Sequence, residues 1–491
     1  MSKNNTPRFL LTAPKSGSGK TLVTCGILAA LRKRGLRVSS FKCGPDYIDP
    51  MFHSRVLGAK SRNLDTFFTD EETTRYLMKR GAEDTDISVV EGVMGYYDGL
   101  GGIDTKASAY DLAAVTKTPA VLIVDTRGMS LSALAEIKGF LNYKKESHIK
   151  GVILNRMSPM LYPEVKSRVE EELGIRVFGY VPKLTELNLE SRHLGLVLPD
   201  EVKELSEKFD HLAEMLEKSL DIDGLIELAG ETEKLEVADR NADSRNPAVS
   251  TETEDDAGLP ATLKKILSSP EVASVCVHRP RIAVAKDEAF CFIYEDNLGL
   301  LKELGAEITF FSPLHDKHFP ENCDGLLLYG GYPELSAREL SENVSMRQEI
   351  RDRLKNGFPC LAECGGFMYL HTTMEDMEGN AWEMADVIDG RAYKTEKLGR
   401  FGYIELTGNA EDRKFLGQNV GVLRAHEFHY FDSTSCGTDF HAKKPLRKRS
   451  WDCIHGTETQ LFGFPHLYYY SNPALALEFL EACVRQRSKN V

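Results

Sequence analysis

The sequence predicts an α/β protein of two domains, and three observations carry that prediction. Short runs rich in Val, Ile, Leu and Phe alternate with helical patterns over residues 1–228, and the same alternation resumes at Arg281. Between the two lies a polar, acidic stretch with almost no aromatics. At 491 residues the chain is also too long for a single ordinary core.

In the first domain "RFLLTA", "RVSSFKC", "ISVVEG", "AVLIVD" and "KGVILN" read as strands. Such near-continuous apolar runs suit parallel strands covered on both faces. Helical segments such as "KTLVTCGILAALRKRG" lie between them, so residues 1–228 are expected to form a doubly wound parallel sheet. "ETEKLEVADRNADSRNPAVSTETEDDAG", Glu231–Gly258, cannot bury enough apolar surface to order itself, and residues 229–280 are assigned as a flexible linker. Residues 281–491 form the second domain. "RIAVAKD", "EITFFSP", "DGLLLYGG" and "FPCLAEC" are its strands, with "DNLGLLKELG" and "ENVSMRQEIRDRLKNG" as helices. Later come "FGYIEL", "GVLRAHEFHYF" and "QLFGFPHLYYY", whose aromatics and polar alternation suggest a mixed sheet. No internal repeat or heptad run is evident.

Composition removes several classes of function. A net charge of -13 argues against a nucleic-acid binder, which needs a basic face. No long apolar run is present to span a membrane, and the N-terminus reaches its first strand too soon for a signal peptide. The ten cysteines are scattered, without CxxC pairs or zinc spacing, which reads as reduced thiols in a cytoplasmic protein.

Two motifs carry chemistry. "APKSGSGKT" follows a strand and opens a helix, the setting in which backbone N–H groups converge on phosphates. Lys20 is placed to reach the terminal phosphates of ATP and Thr21 to ligate Mg²⁺. Pro14 replaces the first Gly of the usual pattern. The resulting KxGxGKT, with Lys15, Gly17, Ser18 and Gly19, is similar to loops of the partition and dethiobiotin-synthetase group. Asp46 follows the second strand and Glu91 ends the next, which puts two carboxylates at the ligand-binding edge for Mg²⁺. Asp49 and Asp98 are candidate substrate contacts nearby. Asn155, closing "GVILN", is a candidate adenine reader.

The second motif is "LAECGGF". Ala362, Glu363, Cys364, Gly365 and Gly366 fit small-x-Cys-x-Gly, a nucleophile elbow in a strand–turn–helix setting. Gly365 beside the thiol, and Gly330 and Gly331 in "YGGYPEL", are candidate oxyanion donors. A thiol needs a base, and His466 ends a late strand in "GFPHLYYY".

"FKCGPDYIDPMFH", "NLDTF", "VVEGVMGYYDG", "ESRHLGL", "YGGYPEL", "AECGGFMYL", "AHEFHYF" and "FPHLYYYSNP" occur in the order found in cobyrinic acid a,c-diamide synthases, which the chain resembles outside residues 228–280. The resemblance implies an N-terminal synthetase domain similar to dethiobiotin synthetase and a C-terminal class I, triad-type glutamine amidotransferase domain. It implies cobyrinic acid, L-glutamine and ATP as substrates, with neither nucleic acid nor membrane as partner and with self-association into a homodimer left open. Cys364 takes the role of glutaminase nucleophile and His466 that of its activator. His426 and His429 become candidate corrinoid contacts, although alternate strand residues could equally be structural. Two positions depart from the pattern. The family often reads His-x-His in the last motif, whereas Tyr468 stands at the second position, where a full triad would have Glu; the third member is left open, and Ala425 replaces the usual Gly. A nickel relative, the Ni-sirohydrochlorin a,c-diamide synthase of coenzyme F430 biosynthesis, is the nearest alternative. A partition-type switch ATPase is the alternative of another class.

Overall fold

The computed structural model describes residues 6–183, 199–237, 259–409 and 414–489. It divides into two compact units, Met1–Pro260 and Ala261–Val491.

The first unit is built on seven strands: β1 (Arg8–Thr12), β2 (Val38–Cys43), β3 (Lys60–Leu64), β4 (Ile87–Glu91), β5 (Ala120–Asp125), β6 (Ile149–Asn155) and β7 (Arg176–Val181). All pair in parallel, in the order β3-β2-β4-β1-β5-β6-β7. The central strands β1, β2 and β4 are buried at every residue, as their apolar runs require. Helix α1 (Lys20–Lys33) buries Val23, Ile27, Leu28 and Leu31 in a core shared with Phe209, Leu212 and Leu216 of the helix Pro199–Ser219. The chain leaves β1 toward one side of the sheet and later enters β5 on its other side, so the carboxyl ends around β1 form the crevice where such sheets bind ligands.

Two strands escaped the sequence reading, β3 ("KSRNL") and β7 ("RVFGYV"), and they are the two sheet edges. Glu91 therefore ends the fourth strand of the chain, not the one after β2. The sheet restores the expected neighbourhood, because β4 lies beside β2 with Lys42 opposite Glu91.

The second unit holds a sheet of six strands. It contains β8 (Arg281–Ala285), β9 (Glu307–Phe311), β10 (Gly325–Leu328) and β11 (Cys360–Glu363), extended past β11 by Gln460–Gly463 and an antiparallel edge, His455–Gly456. The late aromatic strands do not all join it. Arg400–Gly408 and Leu423–His429 pair antiparallel within a separate five-stranded sheet that ends on His466–Leu467. A mixed sheet was the expectation, and the six-stranded sheet is mixed through its antiparallel edge. The late strands are divided between sheets, with Gln460–Gly463 on β11 and His466–Leu467 on Leu423–His429.

Part of the expected linker is ordered. Helices Ala261–Leu267 and Pro270–His278 occupy its C-terminal third, bury Leu263, Val272 and Val275, and use Ser269 as an N-cap on Val272 N–H. Residues 238–258, and the "ESRHLGL" motif, lie outside the described residues.

Candidate functional site

In the first unit the chain leaves β1 through a loop that delivers Lys20 and Thr21 to the start of α1. Gly19 sits at φ +91°, and a Cβ there would stand 2.4 Å from Asn155 Nδ2. That amide donates to the Ser18 carbonyl at 2.7 Å, while Ser18 Oγ donates to the Lys15 carbonyl at 3.0 Å. Asn155 thus braces the loop. The Lys15 side chain is exposed, and its contribution inside the loop is its carbonyl.

Lys20 Nζ donates to the carbonyls of Lys15 and Met94, and burial, followed by the charge of Lys42, lowers its pKa to about 8. Thr21 Oγ1 donates to Glu91 Oε1 at 2.7 Å. The same oxygen accepts from Lys42 Nζ at 3.0 Å, and Lys42 also donates to Asp49 Oδ2. Nε2 of His53, fully buried on the helix Ile48–Arg55, is 3.3 Å from Glu91 Oε2. Burial alone would push Glu91 up. Lys42, then His53 and Thr21, reverse this and hold it well below the usual carboxylate range. Asp49 goes the other way, up to about 7, through burial and the charge of Glu91. One cation between two buried carboxylates favours a single full negative charge.

Asp46 lies close enough for its charge to act on Lys42 and Asp49, but it makes no bond to Lys42. Its Oδ1 accepts from Ile48 N–H at 2.8 Å, closing a turn, so Asp49 is the second carboxylate bound to Lys42. Asp98 is exposed and accepts from Gly95 N–H at 3.0 Å. Its loop folds close over the phosphate loop, since a Cβ on Gly95 would be 2.5 Å from the Pro14 carbonyl. Thr21 and Glu91 give one hydroxyl and one carboxylate at a helix N-terminus. That donor set suits Mg²⁺, which completes its shell with phosphate oxygens and water. Lys42 and His53 lay inside a quoted motif but carried no assigned role. Their signal was the register of β2 against β4, which the sequence alone does not display.

In the second unit Cys364 stands between β11 and the helix Gly365–Tyr369, with φ 47° and ψ −106°. Its N–H donates to Gly463 O and its carbonyl accepts from Met368 N–H, each at 2.9 Å. A Cβ on Gly330 would lie 2.4 Å from His466 Cε1 and 3.3 Å from Cys364 Cβ, so thiol, imidazole and glycine converge. A Cβ on Gly365 would lie 3.1 Å from the nitrogen of Gly331. All three glycines expected at an oxyanion pocket are therefore gathered at the elbow.

Burial, then the charge of Glu334, pushes the Cys364 thiol up. Burial, then His426 and His429, holds His466 well below the usual histidine range, in its neutral, proton-accepting form. Tyr468 turns away from this pair and donates to Asp296 Oδ2 at 3.0 Å. The carboxylate near the imidazole is that of Glu363, whose Oε2 is 3.9 Å from His466 Nδ1. His426 stacks on His466, with ring centroids 4.8 Å apart, and His429 stacks on Phe464 at 4.0 Å. Both are buried, and both lie close enough to His466 for their charges to act on it.

Comparison with known proteins agrees with this division of labour. Residues 9–197 match a CobQ/CobB/MinD/ParA nucleotide binding domain, and residues 281–457 match a CobB/CobQ-like glutamine amidotransferase domain. A cobyrinate a,c-diamide synthase of Clostridium acetobutylicum is 39% identical over 483 residues, covering 97% of this chain and 99% of the relative. Those of Caldanaerobacter subterraneus subsp. tengcongensis and Thermoplasma volcanium are 36% and 35% identical. They cover 97% and 98% of this chain and 98% of each relative. With both domains present and its length matched almost end to end, the chain belongs to the cobyrinate a,c-diamide synthase family.

Proposed function

We propose that this protein is an ATP- and glutamine-dependent amido-ligase that converts the a and c acetate carboxylates of cobyrinic acid to amides, a step of cobalamin biosynthesis. The observation that carries the reading is the presence of a phosphate-loop centre and a thiol elbow in one chain that matches its relatives over nearly their whole length.

A carboxylate is a poor acyl donor, and phosphorylation gives it a leaving group. Lys20 leaves its backbone carbonyls to meet the γ-phosphate, and the α1 N-terminus adds positive potential there. Thr21 and Glu91 would hold Mg²⁺, which neutralises charge on the phosphates when bound. At the other centre Cys364 gives its proton to His466 and attacks the side-chain amide carbon of glutamine. The C–N bond breaks, ammonia leaves with the proton from His466, and water hydrolyses the thioester to glutamate. Ammonia then displaces phosphate from the acyl phosphate, and the cycle is repeated on the second acetate.

The relatives cited all bear the cobyrinate name, so the nickel macrocycle is not favoured. A switch ATPase would have no use for the thiol elbow. A cytoplasmic setting is part of the proposal and is supported by ten cysteines that are all free. Self-association into a homodimer is a further part that oligomer mass would decide. No helix among the described residues is long and apolar enough to cross a membrane.

The test is product mass after incubation with cobyrinic acid, ATP, Mg²⁺ and glutamine, with Cys364→Ala in parallel on glutamine or ammonia. Two added amides from the native chain, and a variant active on ammonia alone, are expected. Amidation of Ni-sirohydrochlorin but not cobyrinic acid would move the substrate, and amidation of neither would end the ligase reading.

A further inference from the structure

The triad at the thiol centre lacks its usual third member. The position two residues after His466 is Tyr468, whose hydroxyl is committed to Asp296 at 3.0 Å. An imidazole that must accept a proton at one nitrogen needs an acceptor at the other, to fix its tautomer and its orientation. Glu363 meets that need from an unexpected place, directly before the nucleophile. Its Oε2 is 3.9 Å from His466 Nδ1, and both side chains are at most 3% exposed. Neither carboxylate oxygen has a hydrogen-bond partner, and burial pushes Glu363 well above the usual carboxylate range, an effect that the backbone of Leu467 offsets only in part. A carboxylate buried without a partner is costly, and such groups persist where a site uses them.

The elbow explains how neighbours in sequence can serve the same ring. In an extended strand Glu363 and Cys364 would point to opposite faces. At φ 47° the chain turns out of the strand at Cys364, and the alternation stops there. The Gly463 carbonyl, holding Cys364 N–H at 2.9 Å, pins the elbow beside the strand that leads to His466. Catalytic hydrogen bonds are often long before substrate arrives, so 3.9 Å is a distance that glutamine binding can close.

We propose that Glu363 is the positioning residue of His466, the carboxylate that replaces the triad member absent at Tyr468; the proposal rests on the glutaminase reading above. With Nδ1–H directed at Glu363, His466 Nε2 is left free of a proton. It takes the proton of Cys364 Sγ as the C–S bond to glutamine forms, and returns it to the departing ammonia as the C–N bond breaks.

The experiment uses the full chain carrying Glu363→Gln, an isosteric change. Three rates are measured: glutamine-driven amidation, ammonia-driven amidation, and alkylation of Cys364 by iodoacetamide. Loss of an orienting carboxylate predicts a kcat on glutamine lower by about 10²–10⁴-fold with little change in KM. Alkylation should slow by at least about tenfold, because thiolate formation depends on His466. Ammonia-driven amidation should stay within about twofold, which reports an intact first unit, and an unchanged circular dichroism spectrum of the full chain checks the second. Tyr468→Phe should keep glutamine-driven turnover within about threefold. A Glu363→Gln chain with native kcat and alkylation, or a larger loss in Tyr468→Phe, would overturn the proposal. If Glu363→Gln also lost the ammonia reaction through misfolding, ¹⁵N shifts of His466 in the native chain decide instead. A proton on Nδ1 supports the proposal and a proton on Nε2 alone refutes it. Native glutamine-driven turnover in Cys364→Ala would remove the glutaminase reading, and the proposal with it.

Discussion

Lys42→Met would strip the shared cation from two buried carboxylates. Lys42 Nζ is bonded to Glu91 Oε1 at 3.0 Å and to Asp49, and its side chain is 5% exposed. Removing one partner of a buried ion pair costs about 3–5 kcal/mol, because the remaining charge is uncompensated. Glu91 keeps Thr21 and His53, which places the loss near about 3 kcal/mol. In a unit of this size each kcal/mol lowers the melting temperature by about 2–4 °C, so a drop of about 6–12 °C is expected. The assay is calorimetry of the full chain, in which the transition of the first unit should shift and that of the second should not. The deficit should also grow between pH 5 and pH 8. Without Lys42 the folded carboxylates hold their protons more tightly than the unfolded chain does, and stability then falls as pH rises. Adding Asp49→Asn should recover about 1–2 kcal/mol, a coupling typical of groups in one network. A shift below about 2 °C, or strict additivity in the double variant, would refute the view that Lys42 holds this centre together.

Gly19→Ala should weaken ATP affinity at least about tenfold, since the new methyl must displace the Asn155 brace as well as accept φ +91°. Gly17→Ala, with open space around it, should bring backbone strain alone and a smaller rise in the KM for ATP. Glu91→Gln removes the charged acceptor of both Thr21 and Lys42; amidation on ammonia should fall by about 10²-fold or more while glutaminase persists, and equal loss of both would contradict the separation of the centres. His371 is fully buried, with Nδ1 on Phe367 O at 2.9 Å and Nε2 on Ser433 Oγ at 2.6 Å, and burial lowers its pKa to about 4. The unfolded chain binds a proton that the folded one refuses between about pH 6.5 and 4, so stability is lost as pH falls through that window, by about 2 kcal/mol at pH 5. In His371→Gln, melting followed against pH should show a slope shallower by up to one proton, and an unchanged slope would remove His371 from the acid response.

What the sequence disclosed was chiefly local. The central strands are apolar along their whole length because both faces are covered, and the two motifs each fit within about a dozen residues. The edge strand "KSRNL" has no such pattern. It is held by pairing with β2 and by Asn63 Nδ2 on the Gly44 carbonyl at 2.9 Å, features that exist only once the sheet has formed. Gly179, at φ +126°, interrupts the other missed strand. The helices at 261–278 were hidden by the acidic run before them, although Leu263, Val272 and Val275 supply a buried face. Lys42 and His53 escaped assignment for a related reason. Their importance is a contact with Glu91, 49 and 38 positions away along the chain, made by strand register and helix placement. Asp46 follows the strand end directly and was legible for that reason, whereas the bond of Asp49 to Lys42 depends on one further turn of chain. Glu363 was masked by the alternation of strand side chains, a rule that its own neighbour breaks.

That neighbour sets heat resistance and chemistry against each other at one peptide. At φ 47° and ψ −106° a residue with a Cβ is strained by about 1–3 kcal/mol, and glycine would relieve most of it. A screen that rewards only survival on heating should therefore favour Cys364→Gly wherever the strain relieved exceeds the packing lost with the buried thiol, and such a chain no longer draws ammonia from glutamine. Selection for ruggedness at this residue is selection against the thiol, so thermal tolerance in such a protein has to be gained elsewhere in the chain.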